Sequence, residues 1–323
     1  MLQIAFAGTF AATLEAPVRA RLPLPCVVVV DDATRIASRL SSVDVLVSLA
    51  FTREMGAAAK RLKLVQVPGA GLDRIDRTAL PAGADLANVY GHEVGIAEYI
   101  VGAMLVLERS FGRIDASLRR GVWESQWGVG SSPPPPWPEL AGKTLGILGY
   151  GRIGQALARR ARAFDMNVCA IRRDVSRSGA EGLSLLGGPT DLDEMLRRSD
   201  YLAVTLSLND QTRGLLGARE LSLLKPSAVL VNVARAEIVD EDALYRALEE
   251  RRLAGAALDV WYRYPKEAGQ TRPASRPFHE LSNVLMTPHV SGWTEGMLEA
   301  RATLLAEDIQ RTARGGPPLN LIR

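Results

Sequence analysis

The sequence predicts an α/β protein with two doubly wound parallel-sheet domains, and three observations predict it. Short apolar runs alternate with amphipathic stretches up to residue 89, and the same alternation restarts at residue 144. A G-x-G-x-x-G pattern stands where a strand of the second block meets a helix. The last amphipathic stretch, 295–314, has no strand after it to feed.

In the first block, residues 3–7, 26–30, 43–49, 62–67 and 85–89 read as strands, and 14–21, 33–40 and 52–61 as helices. A single long helix is expected over 94–119, ending before Gly121. The stretch 121–143 follows, with four consecutive prolines at 133–136 that exclude both a helix and a central strand. It reads as a stiff surface crossing, either a plain linker or a cap over a substrate. Strands are then expected at 144–148, 168–171, 201–206, 228–233, 255–260 and 284–286, with helices at 153–164, 192–198, 220–224, 242–251 and 295–314.

Composition narrows the class. A chain of 323 residues, 47% hydrophobic and 23% charged, suits two soluble globular domains. The net charge is only +3, with 39 basic residues spread along the chain, which argues against a nucleic-acid partner. Cys26 and Cys169 lie in apolar runs and read as reduced core residues of a cytoplasmic protein. The longest nearly apolar stretch, 96–107, contains Glu98 and falls short of the roughly 20 residues that span a bilayer, so no membrane partner is expected. The opening MLQIAFAG lacks the features of a signal peptide. No metal site is expected.

The glycine pattern runs Gly149-Tyr150-Gly151-Arg152-Ile153-Gly154. Gly149 permits a tight turn, Gly151 lets a pyrophosphate approach the backbone, and Gly154 lets helix pack on strand. Arg152 and Ile153 begin the helix, whose free N–H groups and positive end suit a phosphate. About twenty residues on, an NAD enzyme carries an acid for the adenosine ribose. This chain has Arg172 and Arg173 there, with Asp174 arriving late. A guanidinium holds a 2′-phosphate through paired charged bonds, so NADP is preferred over NAD as the cofactor.

These segments together resemble the D-isomer-specific 2-hydroxyacid dehydrogenase family. The likeness rests on VPGAGLDRID at 67–76, the glycine turn, KPSAVLVNVARAEIVDEDAL at 225–244, AALDV at 256–260, and Thr287-Pro288-His289, all in family order. It implies a Rossmann-type dinucleotide domain, 92–292, inserted into a flavodoxin-like substrate domain, 1–91 and 293–323. The terminal helix without a strand of its own agrees with that return path.

The resemblance also implies roles. Arg235, just past the apolar strand 228–233, would orient a 2-keto or 2-hydroxy acid. His289 would act as acid/base, a task its near-neutral titration suits. Val233, Ala234 and Asp259 would face the cofactor, and Gly69, Ala70 and Gly71, with positive φ available to glycine, would grip the substrate carboxylate. A homodimer through the region of the long helix is implied as well.

Two positions depart from the family pattern. Ala236 replaces a usual glycine, which suggests a slightly different backbone. The acid expected five residues after Asp259 is replaced by Tyr264, and Glu267 or Glu280 is the candidate substitute. A phenol orients an imidazole but does not stabilise imidazolium as a carboxylate does. The main expectation is an NAD(P)-dependent oxidoreductase. The alternatives are a dinucleotide-sensing protein without catalysis and a formate-type hydride-donor dehydrogenase. Trp261, Tyr262 and Tyr264 read either as an aromatic wall to the substrate or as packing.

Overall fold

The computed structural model describes every residue except 131, 133, 177–180, 266 and 323, so the proline run is described only in part. The chain forms two units, Met1–His92 with Trp293–Arg323, and Glu93–Gly292.

The first unit contains β1 (Leu2–Ala7), α1 (Thr9–Arg19), β2 (Cys26–Asp31), β3 (Val45–Ser48), α2 (Arg53–Ala58), β4 (Leu64–Val67) and β5 (Asp85–Asn88). Its five strands run parallel in the order β2-β1-β3-β4-β5. The C-terminal helix, Glu295–Ala313, packs Ala302, Leu305, Ala306 and Ile309 against Ile4, Phe6, Leu14 and Val18. That burial explains why the helix needs no strand after it. The helix expected over 33–40 is instead a 3₁₀ segment, Ile36–Ser42. Asp32 accepts bonds from the Thr34 amide and hydroxyl, both at 2.8 Å, and this turn competes with a regular helical start. Cys26 is half-buried because β2 is an edge strand, whereas Cys169 is buried.

The second unit contains α3 (Glu93–Glu108), α4 (Phe111–Arg119), β6 (Thr144–Leu148), α5 (Arg152–Ala163), β7 (Asn167–Ile171), β8 (Leu185–Gly187), α6 (Leu192–Arg198), β9 (Tyr201–Val204), α7 (Ala218–Leu223), β10 (Val229–Asn232), α8 (Glu241–Glu249), β11 (Gly255–Leu258) and β12 (Val284–Met286). Seven parallel strands lie in the order β12-β11-β10-β9-β6-β7-β8. One face is covered by Ile96, Ile100 and Met104 of α3 and Leu157 of α5. The other is covered by Met195, Leu196, Leu244 and Leu248. Two doubly wound parallel sheets are therefore the architecture.

The expected single helix over 94–119 is two helices. Ser110 takes a left-handed φ of 49° between them. The break falls where the apolar run of α3 ends and the amphipathic surface pattern of α4 begins. Strand β8 is an addition, since three residues are too few to show a period. Strand order reverses between β6 and β9, which is the place where open parallel sheets hold ligands at their carboxyl ends.

Candidate active site

The glycine turn sits at the carboxyl end of β6. Gly149 has φ +112°, and a Cβ on it would lie 2.6 Å from the Leu206 amide nitrogen and 2.8 Å from the Thr205 carbonyl carbon. A Cβ on Gly154 would lie 2.6 Å from the Gly149 oxygen. Both glycines are thus required by close backbone packing. Gly151 differs: an added Cβ would meet nothing within 4 Å, and its φ of −92° is ordinary. Its bareness serves no packing need of the chain, and the open space lies at the start of α5, which has no side-chain cap. An uncapped helix start beside an open glycine fits a dinucleotide pyrophosphate. Thr205 Oγ1 donates to the Gly149 oxygen at 2.8 Å and steadies the turn.

Strand β7 ends beside this turn, because the amides of Gly149 and Tyr150 both donate to the Ile171 oxygen at 3.0 Å. Arg172 is the next residue and is half-buried, while Arg173 is exposed. Burial pushes the Tyr150 phenol up, and Arg172 works against that shift. Arg152 begins α5 exposed, and Ile153 is half-buried.

Arg235 follows β10 on a turn clamped by Asn232. The Asn232 Oδ1 accepts from the Ala234 amide at 3.1 Å, and its Nδ2 donates to the Arg235 oxygen at 3.0 Å. Val233 and Ala234 are buried. Ala236 opens a 3₁₀ turn, Ala236–Ile238, and is not among the residues with positive φ, so glycine is not required there.

His289 follows β12 and has φ 59°, a left-handed conformation rare for a residue with a Cβ. Its Nδ1 is 2.7 Å from the Tyr264 hydroxyl. Tyr264 is 47% exposed, and its oxygen also accepts from the Trp261 amide at 3.4 Å. The phenol can donate its proton to a bare Nδ1 or accept from Nδ1–H through its second lone pair, according to the state of the imidazole. Burial pushes the Tyr264 phenol up, the Trp261 amide and Arg235 oppose this, and Asp259 and Glu237 add to it. The phenol is therefore neutral near pH 7 and lies within the fields of Arg235 and Asp259 while touching His289.

The match to known proteins follows the same lines. The family model described as D-isomer specific 2-hydroxyacid dehydrogenase, NAD binding domain, matches residues 101–291. The chain belongs to that family. It is 34% identical over 294 residues to D-3-phosphoglycerate dehydrogenase of Methanocaldococcus jannaschii, covering 89% of this chain and 53% of that one, so it spans about half that relative's length. It is 32% identical over 301 residues to glyoxylate reductase of Thermococcus litoralis, covering 89% and 86%. An acyclic imino acid reductase solved with NADPH and D-Arg shares 26% identity with a TM-score of 0.82, covering all of both chains.

Against the 2-hydroxyacid dehydrogenase pattern, the notable feature is the phenol that meets His289. Glu280 lies 3.6 Å from His279, and Glu267 is exposed. Asp259, expected to face the cofactor, is fully buried with its carboxylate turned to the histidine loop. It accepts from Thr287 Oγ1 at 2.6 Å, the Val290 amide at 2.8 Å and the Ser291 amide at 2.9 Å. Trp261 is buried and ties its Nε1 to the Thr287 oxygen at 2.8 Å, and Tyr262 donates to the Val239 oxygen at 2.8 Å. Of the three aromatics, only Tyr264 is exposed.

In the first unit, the Ala70 oxygen accepts from Asn88 Nδ2 at 2.9 Å. Gly69 and Gly71 are not among the glycines with positive φ, which corrects the conformational reason given for them. His92 is buried, and its Nδ1 lies 2.9 Å from an Arg301 nitrogen. The parts of Thr205 and Thr287 were not read from the sequence, because each bonds a residue remote in the chain, Gly149 and Asp259; Asn232 acts locally, on Ala234 and Arg235. Among the described residues no group of His, Cys, Asp and Glu is arranged to hold a metal, and no helix is long and apolar enough to cross a membrane.

Proposed function

We propose that the protein reduces a small 2-keto acid with a nicotinamide cofactor, or runs the reverse oxidation. The observation that carries this reading is the His289–Tyr264 bond at 2.7 Å, formed within the field of Arg235. The turn 149–154 with the start of α5 would hold the pyrophosphate, and the cofactor when bound supplies or accepts a hydride. Arg235 pairs its guanidinium with the substrate carboxylate and carbonyl oxygen, fixing the reacting carbon. His289 gives a proton from Nε2 to the substrate oxygen during reduction and takes it back during oxidation. Tyr264 holds the ring in place and accepts from Nδ1–H when the imidazole is charged. Gly69, Ala70 and Gly71 are assigned to the substrate carboxylate on family resemblance.

Cofactor oxidation followed over a panel of 2-keto acids tests the reading. Binding of NADPH with no turnover of any member would instead make the protein a dinucleotide sensor, and turnover of formate alone would make it a hydride-donor dehydrogenase. The phenol at Nδ1 also favours a second substrate class, 2-imino acids, whose iminium nitrogen already carries its proton. Amines belong in the panel for that reason, and the solved imino acid reductase is consistent with it.

Tyr264→Glu is expected to raise the apparent pKa of His289 by about one unit or more, because a carboxylate favours the imidazolium that reduction consumes. The falling limb of kcat/KM against pH for reduction would then move up by the same amount. An unchanged profile would remove Tyr264 from the role.

We assign NADP as the preferred cofactor through Arg172, with Arg173 beside it. Arg172→Asp is expected to lower kcat/KM with NADPH about 10- to 100-fold while improving use of NADH, the size of a lost charged bond. Equal loss with both cofactors would refute the assignment.

We further assign a homodimer to the face bearing the exposed Phe111, Leu118, Trp123 and Trp127. Light scattering should return roughly twice the 34.9 kDa chain mass, and Leu118→Glu should halve it. A monomeric wild type would end that assignment.

A further inference from the structure

Neither backbone strain nor crowding calls for glycine at position 69. Its φ is not positive. A Cβ built on it would meet Leu49 Cδ2 at 3.7 Å and Arg301 Nη2 at 4.0 Å, both ordinary contacts, and among the described residues nothing else beyond its chain neighbours within 4 Å. The missing Cβ therefore leaves a space between a leucine methyl and a guanidinium. That guanidinium has a fixed place. Arg301 lies on the C-terminal helix, is 8% exposed, and stands over the Phe10 ring at 5.4 Å. His92 Nδ1 accepts from its Nη2 at 2.9 Å. Phe10 in turn meets the Trp293 ring edge to face, with 5.8 Å between centroids. The two loop carbonyls that could repel an anion are tied to the end of β5. The Gly69 oxygen accepts from the Val89 amide at 3.3 Å and the Ala70 oxygen from Asn88 Nδ2 at 2.9 Å. All of these residues belong to the first unit.

We propose that Arg301 is a specificity-determining residue, the first unit's own cation for the substrate carboxylate, and that a carboxylate oxygen takes the space a Cβ on Gly69 would fill. This rests on the assignment of the 69–71 loop to the substrate. An oxygen in that space stands 4.0 Å from Nη2, which is ion-pair distance. Gly69 is buried, so the pair forms away from bulk water, where its attraction is stronger than at an exposed surface. The roles divide plainly. Arg301 supplies charge, Phe10 and His92 hold it in position, and the bare glycine admits the anion to it. The amide of the same acid carries no charge to pair and gains nothing from the arginine.

The test is a double-mutant cycle read with oxalate, a planar stand-in for a 2-keto acid. Its affinity is taken from the rise in Tm along an oxalate titration with NADPH present. Gly69→Ala fills the space without strain and is expected to weaken oxalate about tenfold. Arg301→Met removes the charge and keeps an unbranched chain over Phe10, and is expected to cost the same. Both variants lose one contact, so the double variant should bind oxalate no more weakly than either single one. Separate losses that multiply to about a hundredfold would overturn the proposal, because the two residues would then act at different places. Wild-type oxalate affinity in either single variant overturns it too, as does a wild type that oxalate fails to stabilise. If Arg301→Met does not fold, Arg301→Gln, which keeps a donor for His92, takes its place in the cycle. In turnover the loss should fall on KM, with kcat within about threefold, and a fall in kcat at unchanged KM counts against the pairing. The oxalate cycle needs no turnover. A wild type that reduces no keto acid would defeat the proposed function and leave the anion site to be judged by the cycle.

Discussion

Replacing His289 with Gln is expected to lower kcat for keto-acid reduction by about 100- to 10,000-fold, the usual worth of a positioned acid/base. The glutamine amide approximates the size of imidazole and keeps a hydrogen bond, yet has no proton to give near pH 7. Hydride arriving at carbon leaves negative charge on the substrate oxygen, and without Nε2–H that charge must be met by water. The loop itself is held by Asp259 through residues 287, 290 and 291, so the variant should fold with its loop intact. Binding of NADPH should stay within about twofold, because the glycine turn is formed by other strands. The check is steady-state kinetics with fluorescence titration of the cofactor. A kcat within threefold of wild type would remove His289 from the chemistry. If imines are the substrates, the same variant should lose far less, since the iminium needs no added proton.

Arg235→Lys is expected to lower kcat/KM for the 2-keto acid by about 100- to 1,000-fold. A lysine retains the charge but not the planar fork that meets carboxylate and carbonyl together. The loss of one charged bond, about 1.5–3 kcal/mol, and of near-attack alignment sets that size. Arg235 is half-buried and its turn is clamped by Asn232, so the backbone should be unchanged. The loss should fall on kcat as well as KM, and guanidine added to Arg235→Ala should recover part of it. A variant changed in KM alone would reduce Arg235 to a simple anion anchor.

Several particular features were legible in the chain. The glycine turn was readable because its three glycines stand at fixed spacing, two of them required by close backbone packing, and the strand before it and helix after it are contiguous in sequence. Tyr264 was singled out by its five-residue spacing from Asp259, and it meets His289 because both follow the carboxyl ends of neighbouring parallel strands, β11 and β12. The helix over 94–119 was misread because hydrophobicity alone does not reveal a left-handed Ser110. The bonds of Asp259 to residues 287, 290 and 291 were not legible, because its position at a strand end says nothing about which way its carboxylate turns.

By itself the sequence determined the two α/β blocks, the parallel strands and the nucleotide turn, since these follow from periodicities and glycine positions within a few residues of one another. Only the tertiary structure decided how the histidine is held. Tyr264 and His289 are 25 residues apart, Asp259 and Ser291 are 32 apart, and Tyr99 and Thr287 are 188 apart. Such contacts depend on strand order and on the direction each loop leaves the sheet, and a local pattern encodes neither.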